Sequence, residues 1–393
     1  MYYDSAGDFS VYNLRESCNE QRNVECIISV NASSVQDIQQ TLLFAAKHNV
    51  KLVVKNTGKN TTFHPTFLLV GAPPSGVISS VLTVSPGTTW DQVYTAAHAN
   101  NVTILEGIGA GGTVGAGGGW ILGTGHSILT PNYGLGIDNV VQFTVVLPNA
   151  IHVTANNFTN LDLFWALKGR GGPSFGILTS TTYRTHLNPP ITAAFYTATY
   201  SRAAMISLVT SLNTNFMDNG WSGFRPYDLN SLNLTFIALG SPPKSPNALS
   251  VYNEFVNQSA ALPGVNVTLS VIKPYTGIFD WYEDNFVNTA DDIGFNYTLS
   301  DIAGVPLSSG SRLLPRKTFE KNTSALAQAY VDFAAARPFI IGGGVLPSMD
   351  PSTVSTNPTW RQMLVGITLA FSWPENATDA DIIHGHSKSS SIS

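Results

Sequence analysis

Apolar and polar positions form blocks near the start of the chain, and the period of these blocks switches between that of a strand and that of a helix. Residues 26–30 are a β-branched run, residues 34–49 have helical spacing with Ser33 or Ser34 as the N-cap, and residues 50–54 are a second apolar run. The pattern predicts a strand–helix–strand unit.

A second unit of the same kind follows. A strand is predicted at 81–86, a helix at 88–101 with Thr88 or Thr89 as the N-cap, and a strand at 102–105. Further predicted elements are a strand at 140–148, a helix at 161–169 closed by Gly169, and a strand at 177–185.

The Pro189-Pro190 pair interrupts this pattern, and the composition then shifts toward Asn, Ser and aromatic residues. A domain boundary is therefore predicted there, with one domain at 1–188 and a second at 189–375. The second domain contains a predicted helix at 323–336 and a predicted strand at 364–371. Residues 376–393 have no periodicity and are predicted to be a disordered tail.

Composition narrows the possible functions. Only 11% of the 393 residues are charged, the formal net charge is -5, and Lys and Arg form no cluster, which argues against a nucleic-acid partner. No apolar run reaches the length of a membrane span. Cys18 and Cys26 are the two cysteines; they could form one disulfide but cannot form a cysteine metal site. We expect a monomer.

Asn-x-Ser/Thr sequons are frequent, although an Asn- and Thr-rich composition can also create them by chance. Together with the low charge, they predict a secreted or secretory-pathway glycoprotein. The first residues lack a basic segment followed by an apolar one, so a signal peptide is not recognised within this chain. The sequons begin at Asn31, Asn60, Asn101, Asn157, Asn233, Asn257, Asn266, Asn296, Asn322 and Asn376.

The segment 107–127 is the most informative one for chemistry. Ten of its first nineteen residues are glycine, and glycine costs about 1 kcal/mol relative to alanine within a helix. Glycine leaves backbone N–H groups uncovered and permits positive φ, so such a loop can approach the pyrophosphate or ring of a nucleotide closely.

Three other interpretations compete. Gly107 to Gly112 matches the dinucleotide fingerprint GxGxxG, but that motif must open a helix, which the later glycines disfavour. Gly172 to Gly176 matches the GxSxG of hydrolases, but here a predicted helix precedes the turn and a strand follows it, the reverse of the hydrolase order. The glycines could also serve only as tight structural turns.

Four ordered blocks make a family resemblance specific: TVGAGGGW, GHSILTPNYGLGIDNV, DLFWALKG and GPSFGILTS. With KNTG at 55–58, they cover roughly residues 10–188. This region closely resembles the FAD-binding domain of the berberine-bridge-enzyme-like oxidoreductases of the vanillyl-alcohol-oxidase superfamily. The resemblance implies an α+β fold, with a two-part FAD-binding domain and an antiparallel-sheet substrate domain that is truncated here.

The resemblance also implies which residues contact FAD. The pyrophosphate loop would be Lys55, Asn56, Thr57 and Gly58. Gly176 and Ile177 would offer backbone groups to the cofactor, and His126 could equally be a structural histidine. The pyrophosphate, ribityl chain and isoalloxazine would be lined by Gly111, Thr113, Val114, Gly115, Gly118, Gly123, Gly125, His126 and Ser127.

The sequence departs from the family where FAD is usually attached covalently. Members carry a histidine just after the first TG and often a cysteine two residues before TVG, whereas Lys59 and Gly111 stand here. Bound FAD is therefore expected to be non-covalent and a weaker oxidant. About twenty residues after Gly58, and the C-terminal segment that covers the flavin, have no counterpart in this chain.

The resemblance implies oxidation of a small organic substrate, similar to a secondary metabolite or a sugar. A C–H next to oxygen or nitrogen would give a hydride to flavin, a general base would take the proton, and O2 would reoxidise the flavin. No catalytic base is assigned; Tyr133, Tyr282, Glu283 and Asp284 are candidates that could equally be packing or surface residues. The alternative is a degenerate flavoprotein fold that acts as a binding protein or a non-redox isomerase.

Overall fold

In the computed structural model, the described chain forms two large antiparallel sheets with helices around them, which confirms the predicted α+β fold. The described residues are 2–3, 9–10, 30–54, 61–107, 114–171, 174–215, 219–224, 231–287, 307–321, 323–332, 337–373 and 377–390.

The strands, in chain order, are β1 (Tyr2–Tyr3), β2 (Phe9–Ser10), β3 (Thr61–Leu68), β4 (Val77–Val84), β5 (Val102–Thr103), β6 (Val140–Val146), β7 (His152–Asn156), β8 (Ile177–Arg184), β9 (His186–Leu187), β10 (Ile191–Tyr200), β11 (Ser222–Phe224), β12 (Ser231–Leu239), β13 (Val265–Tyr275), β14 (Leu307–Pro315), β15 (Arg337–Ile340) and β16 (Met363–Ser372).

The α-helices are α1 (Val35–His48), α2 (Trp90–Ala99), α3 (Gly119–Leu122), α4 (Thr130–Tyr133), α5 (Gly136–Asn139), α6 (Leu161–Leu167), α7 (Arg202–Asn215), α8 (Ala248–Ala260), α9 (Ile278–Tyr282), α10 (Arg316–Lys321), α11 (Thr323–Asp332), α12 (Thr359–Gln362) and α13 (Asp379–Ser390). A π-helical turn at Glu283–Val287 continues α9.

Local side-chain chemistry starts the first two long helices where the sequence predicts. The Ser34 hydroxyl accepts a hydrogen bond from the Asp37 amide, and the Asp37 carboxylate accepts one from the Ser34 amide, which forms a capping box at α1. Thr89 and Gln92 form the corresponding box at α2. Both boxes satisfy amide groups that a helix leaves unpaired at its N-terminus.

The first large sheet has five strands in the order β3-β4-β8-β6-β7, and all of its neighbours are antiparallel. Its central strand β8 follows helix α6, whose last turn ends at Gly169 with a φ of 102°. Strand β5 pairs with β9 in a separate two-stranded ribbon.

The second large sheet has seven antiparallel strands in the order β13-β10-β12-β11-β15-β16-β14. Strand β10 is almost entirely buried. Helices α7 and α8 cover one of its faces, and hydrophobic side chains of the core shared with the first sheet cover the other. Strand β13 is the edge strand and alternates between half-buried and exposed residues. The change from the first sheet to the second occurs at Pro189-Pro190.

One hydrophobic core joins the two sheets. It contains Trp90, Phe143 and Tyr183, which precede Pro189-Pro190, together with Phe195 and Trp281, which follow it, all at most 1% exposed. A further cluster fills the space between the seven-stranded sheet and its helices. The region next to the glycine-rich segment is therefore packed against both sheets.

The structure differs from the sequence predictions at three places. Residues 50–54 are irregular and do not form a strand, and Val53 is 85% exposed. The strand predicted at 102–105 ends at Thr103. The segment predicted to be a disordered tail contains helix α13. The strand predicted at 26–30 lies outside the described residues except for Val30, which is irregular.

Among the described helices, none combines the length and the apolar content that crossing a bilayer requires.

Candidate functional site

The glycine-rich segment is attached to the first turn of α2 by backbone hydrogen bonds. The Trp90 amide donates to the Val114 carbonyl at 3.0 Å, and the Ala116 amide donates to the Thr88 carbonyl at 2.8 Å. Gly115 lies between these bonds and forms an isolated bridge with Thr89. The Val114 carbonyl and Gly115 are therefore used within the protein, whereas the Val114 side chain is 39% exposed.

Several glycines of this region make room for the indole of Trp120. A Cβ placed on Gly107, Gly125 or Gly136 would lie 2.4, 2.7 or 2.6 Å from an indole atom, closer than real Cβ atoms come. The indole is half-buried and lies edge-on to the Trp90 ring, with the centroids 4.8 Å apart. These glycines are needed for internal packing, so part of the run has the structural role that the sequence left open.

Gly119 has no such explanation within the chain. It is exposed, its φ is not in the left-handed region, and a Cβ placed there would meet no atom of the described residues within 4 Å. At a helical position, alanine is more favourable than glycine by about 1 kcal/mol. A glycine that the protein's own packing does not require fits a surface where a ligand lies directly against the backbone.

Gly118 and Gly123 flank Gly119 at the two ends of α3. The Gly118 carbonyl accepts from Leu122, and the Gly123 amide donates to the Gly119 carbonyl at 3.0 Å. Gly123 is also exposed. The open face of the segment thus runs over α3, which is a short helix inside a run that the sequence predicts to be a loop.

His126 is held between aromatic rings of the seven-stranded sheet side. Its ring stacks on Phe339, with centroids 5.0 Å apart, and on Trp360 at 5.9 Å. Burial lowers the pKa of His126 to about 4, so the ring is neutral at neutral pH. Of the two roles left open for His126, this geometry favours the structural one.

Ser127 is buried and closes the turn that leads into α4. Its hydroxyl accepts from the Leu129 amide at 3.1 Å, while its own amide donates to the Thr130 hydroxyl at 2.9 Å. The adjoining Ile128 carbonyl accepts from the Ser222 hydroxyl of β11 at 2.5 Å. The end of the glycine-rich segment is therefore fixed to the seven-stranded sheet.

Gly176 precedes strand β8 and has a φ of 154°. A Cβ there would lie 2.5 Å from the Val146 carbonyl oxygen, so the close approach of β6 requires glycine. Ile177 pairs with Val146 in the same sheet and is half-buried. Contact of either residue with a cofactor stays a prediction.

The other residues predicted to contact or anchor FAD are not among the described residues. Lys55, Asn56, Thr57, Gly58, Lys59, Gly111 and Thr113 lie outside the described residues, as do Cys18 and Cys26.

Ser174 is exposed, in a turn between helix α6 and strand β8. This helix–turn–strand order is the one predicted from the sequence, and a hydrolase nucleophile needs the opposite order. The dinucleotide fingerprint also fails here, because the described strands next to the segment are antiparallel and α3 has only four residues.

The candidate tyrosine bases are protonated at neutral pH. Burial raises the pKa of Tyr133, with a smaller contribution from Glu106. Burial likewise raises the pKa of Tyr282, and its hydroxyl points at the Asp91 carboxylate, 3.4 Å away. A general base must be able to lose its proton near the working pH, so the raised pKa disfavours that role for both tyrosines, and the catalytic base stays unassigned.

Asp284 is ionised but already paired. Its carboxylate accepts from Lys273 Nζ at 2.5 Å and from the Tyr275 hydroxyl at 2.6 Å. Hydrogen bonds from Lys273 and then Tyr275 lower the pKa of Asp284. Glu283 is half-buried in the same turn, and its charge contributes to the raised pKa of Tyr282.

Two features of the site were missed by sequence reasoning. Glu106 is 1% exposed, and neither of its carboxylate oxygens has a hydrogen-bond partner among the described residues. Burial raises the pKa of Glu106 well above its ordinary value. In the sequence, the signal that could have identified Glu106 is its position as a single acidic residue between an apolar strand and the glycine run.

The second is a buried ion pair between α5 and α12. The Arg361 guanidinium donates through Nη1 and Nη2 to the two oxygens of Asp138, at 2.6 and 2.8 Å. The side chains are 5% and 9% exposed. Because 223 residues separate the partners, no local pattern could reveal the pair.

Comparison with known proteins gives the context for this geometry. The family described as "FAD binding domain" matches residues 27–156. An uncharacterised FAD-linked oxidoreductase of Arthroderma benhamiae is 30% identical over 417 aligned residues, which cover 93% of this chain and 68% of the relative. An FAD-linked oxidoreductase of Aspergillus flavipes, ffsJ, is 32% identical, and the alignment covers 66% of this chain but 45% of that protein.

Among solved structures, a VAO-type flavoprotein of Myceliophthora thermophila superposes with a TM-score of 0.75 at 23% identity, covering 90% of this chain and 67% of the other. The likeness confirms the expected fold: an FAD-binding part of the vanillyl-alcohol-oxidase type combined with an antiparallel sheet.

Proposed function

This chain belongs to the FAD-linked oxidoreductases, and on that premise we propose that it oxidises a small organic molecule by hydride transfer to FAD, with O2 as the final acceptor. The proposed substrate is a secondary metabolite or a sugar-like compound with a C–H bond next to oxygen or nitrogen. A glucooligosaccharide oxidase of Acremonium strictum shares the fold at a TM-score of 0.66 and 21% identity, which is consistent with the sugar-like class.

The observation that carries the proposal is the open backbone at Gly119 beside the glycines that pack on Trp120. Gly119 is exposed and unhindered, so a flat ring can lie against the chain there without meeting a side chain. When bound, FAD supplies a hydride acceptor that O2 can reoxidise. The role of the protein is to hold the ring and to orient the substrate.

The seven-stranded sheet supports the other side of this region. The Ser222 hydroxyl binds the Ile128 carbonyl, and Phe339 stacks on His126. These contacts fix the end of the glycine-rich segment relative to the sheet that we propose binds substrate. A rigid support of this kind reduces the freedom lost when cofactor and substrate are brought together.

We propose that the FAD is held without a covalent bond. The glucooligosaccharide oxidase is described with a 6-S-cysteinyl, 8α-N1-histidyl FAD. In this chain, Lys59 and Gly111 stand where the resemblance predicts the histidine and the cysteine. Neither an ammonium group nor a hydrogen can form the corresponding flavin linkage.

A second function is favoured by the packing of Trp120. Because Gly107 and Gly125 of the run, together with Gly136 beyond it, accommodate this indole, part of the glycine run is explained without a cofactor. The corresponding function is that of a degenerate flavoprotein fold that acts as a binding protein or a non-redox isomerase.

The test is an anaerobic titration of the FAD-loaded chain with secondary alcohols, amines and oligosaccharides, followed by addition of O2. The oxidoreductase proposal predicts that one class bleaches the flavin absorbance, and that O2 restores it with one H2O2 released per substrate oxidised. A folded chain that binds a substrate class but leaves the flavin oxidised would support the second function instead.

We also propose that the protein enters the secretory pathway and is glycosylated. Of the sequons in the described part of the chain, those at Asn31, Asn101, Asn157, Asn257 and Asn266 are exposed. Exposure is what a glycosylated asparagine requires.

A further inference from the structure

A small cavity lies between α2, β5 and α9, next to the start of the glycine-rich segment. Its volume is about 10 Å³, which is the space needed for one water-sized occupant. The polar residues that line it include His98, Thr103, Glu106 and Asn188, and the rings of Tyr94 and Phe279 line it as well.

Glu106 brings an unmet requirement into this cavity. It is 1% exposed, and within the described part of the chain both carboxylate oxygens lack a partner, as does the buried hydroxyl of Thr103. The Tyr94 hydroxyl does not meet this need, because it donates to the Gly107 carbonyl at 2.9 Å. A buried polar atom without a hydrogen bond costs roughly 1–3 kcal/mol, and a charged one costs more.

The electrostatic surroundings are negative. Asp91 lies one turn before Tyr94 on α2 and faces the Tyr282 hydroxyl at 3.4 Å. No Lys or Arg is among the residues that line the cavity. Glu106 in the wall and Asp91 beyond it both act electrostatically on Tyr94, and the described residues of the wall include no cationic side chain that compensates them.

The aromatic walls also suit a cation. The negative face of a tyrosine or phenylalanine ring attracts positive charge. His98 is exposed and stacks on Phe279, with ring centroids 4.4 Å apart, at the outer side of the cavity. An ion could enter past these two rings.

We propose that this cavity is a binding site for one monovalent cation, of the size of potassium or ammonium, with the Glu106 carboxylate as its principal ligand. One ion contacts both carboxylate oxygens and takes the place of the proton that the buried Glu106 otherwise holds, so that no net charge is buried. It also fixes the residue that adjoins Gly107, and so steadies the start of the glycine-rich segment.

The ligand set distinguishes this ion from others. A divalent or transition-metal ion needs several acidic or histidine ligands, and the described residues contain no group of three or more His, Cys, Asp or Glu side chains that could hold a metal. A water molecule has the right size but brings no charge, so beside it the buried Glu106 carboxyl keeps a proton, in line with its raised pKa; a cation of that size takes the place of the proton.

The proposal is tested by thermal unfolding of the full chain in KCl, NH4Cl, NaCl and choline chloride at equal ionic strength. Choline is too large for the cavity. A ligand that binds only the folded state raises the unfolding temperature in a saturable way. We expect the unfolding temperature to be a few degrees higher in KCl or NH4Cl than in choline chloride. The value in NaCl shows how closely the cavity fits the larger ions, because sodium is smaller.

Glu106→Gln keeps the shape and removes the charge, so it should abolish the rise. Glu320→Gln, at an exposed carboxylate on α10, is the matched control and should retain it. Equal unfolding temperatures of the unmodified chain in all four salts would overturn the proposal, and so would a rise that survives Glu106→Gln.

If Glu106→Gln does not fold, the salt series on the unmodified chain and a crystal grown in RbCl decide. An anomalous rubidium peak beside the Glu106 carboxylate supports the site. An ordered water without anomalous signal at that place contradicts it.

Discussion

At the scale of the residue, the glycines of the 107–127 segment differ in the physical reason for which glycine stands at each position. Gly125 has a φ of 68° and faces the Trp120 ring at a distance that leaves no room for a methyl group. Gly119 faces open space. The sequence predicts that the run is unusual, but it cannot separate these cases, because the separation depends on where one indole packs.

Gly125→Ala is expected to destabilise the protein by about 1–3 kcal/mol, since the methyl group strains both the backbone and the Trp120 packing. The measurement is the free energy of unfolding from denaturant titration. Gly119→Ala is the matched control and should leave this free energy within about 0.5 kcal/mol, or raise it slightly.

Gly119→Ala should, however, weaken FAD binding if the backbone there contacts the ring, and this is measured as the dissociation constant of FAD. An unchanged dissociation constant would move the cofactor away from α3. A large loss of stability in Gly119→Ala would show that the open space is filled in solution.

His126 makes the stability of the protein depend on pH. Its folded pKa is about 4, against an ordinary value of 6.5, so the unfolded chain takes up the proton more readily. This contribution to stability is complete above about pH 6.5 and is lost as the pH falls toward about 4. Acidification from about pH 7 to pH 5 should cost on the order of 1–2 kcal/mol through this residue.

His126→Phe keeps an aromatic ring between Phe339 and Trp360 and cannot titrate. Denaturant unfolding at both pH values should show a smaller loss on acidification in this variant than in the unmodified protein. An identical loss in the two proteins would mean that His126 does not control the acid side of the stability profile.

Helix starts are the most predictable feature at the scale of the element. Ser34 and Thr89 lie at the N-caps of α1 and α2 because hydroxyl and amide or carboxylate groups a few residues apart satisfy helix amides locally. The same rule was overlooked at α13, where the Thr378 hydroxyl accepts from the Asp381 amide and Asp381 accepts from Thr378.

Strands are less predictable because they depend on a partner. Residues 50–54 have an apolar, β-branched sequence, yet they are irregular, and no described strand pairs with them. Strand propensity mainly reflects packing on neighbouring strands. A local sequence therefore cannot establish that such neighbours are present.

Arg361 connects α12 to α5, and its loss should be costly. Arg361→Ala leaves Asp138 charged, nearly buried and without its partner, so we expect a loss of about 3–5 kcal/mol in unfolding free energy. Lys273→Ala removes the partly exposed pair with Asp284 and should cost about 1 kcal/mol or less.

Denaturant titration of both variants provides the comparison. Equal losses in the two variants would contradict the distinction between a buried and an exposed pair. A loss below about 1 kcal/mol for Arg361→Ala would indicate that solvent reaches Asp138.

The family resemblance predicts the architecture at the scale of the whole molecule, and the two-sheet structure confirms it. Periodicity alone would have suggested strand–helix–strand units with parallel strands, whereas the described sheets are antiparallel. The core that joins both sheets brings together Trp90 and Trp281, and such distant contacts cannot be read from local sequence. The resemblance supplied what the local patterns lacked.

The distribution of sequons predicts where glycans attach. Asn266 is exposed on the edge strand β13, while Asn233 is only partly exposed within β12 and its sequon residue Thr235 is 6% exposed. Expressed through a secretory pathway, Asn266→Gln should lose the mass of one glycan and Asn233→Gln should lose none. Intact-protein mass spectrometry checks both variants, and an unglycosylated chain would contradict the secretory proposal.

The central claim is that this chain binds FAD without a covalent bond. The most direct measurement is the visible spectrum of the purified full chain after incubation with FAD and desalting, followed by acid precipitation. We predict the absorption bands of oxidised flavin on the desalted protein and a colourless precipitate with all flavin in the supernatant. A folded protein that remains colourless after desalting, or flavin that stays with the precipitate, would contradict the account.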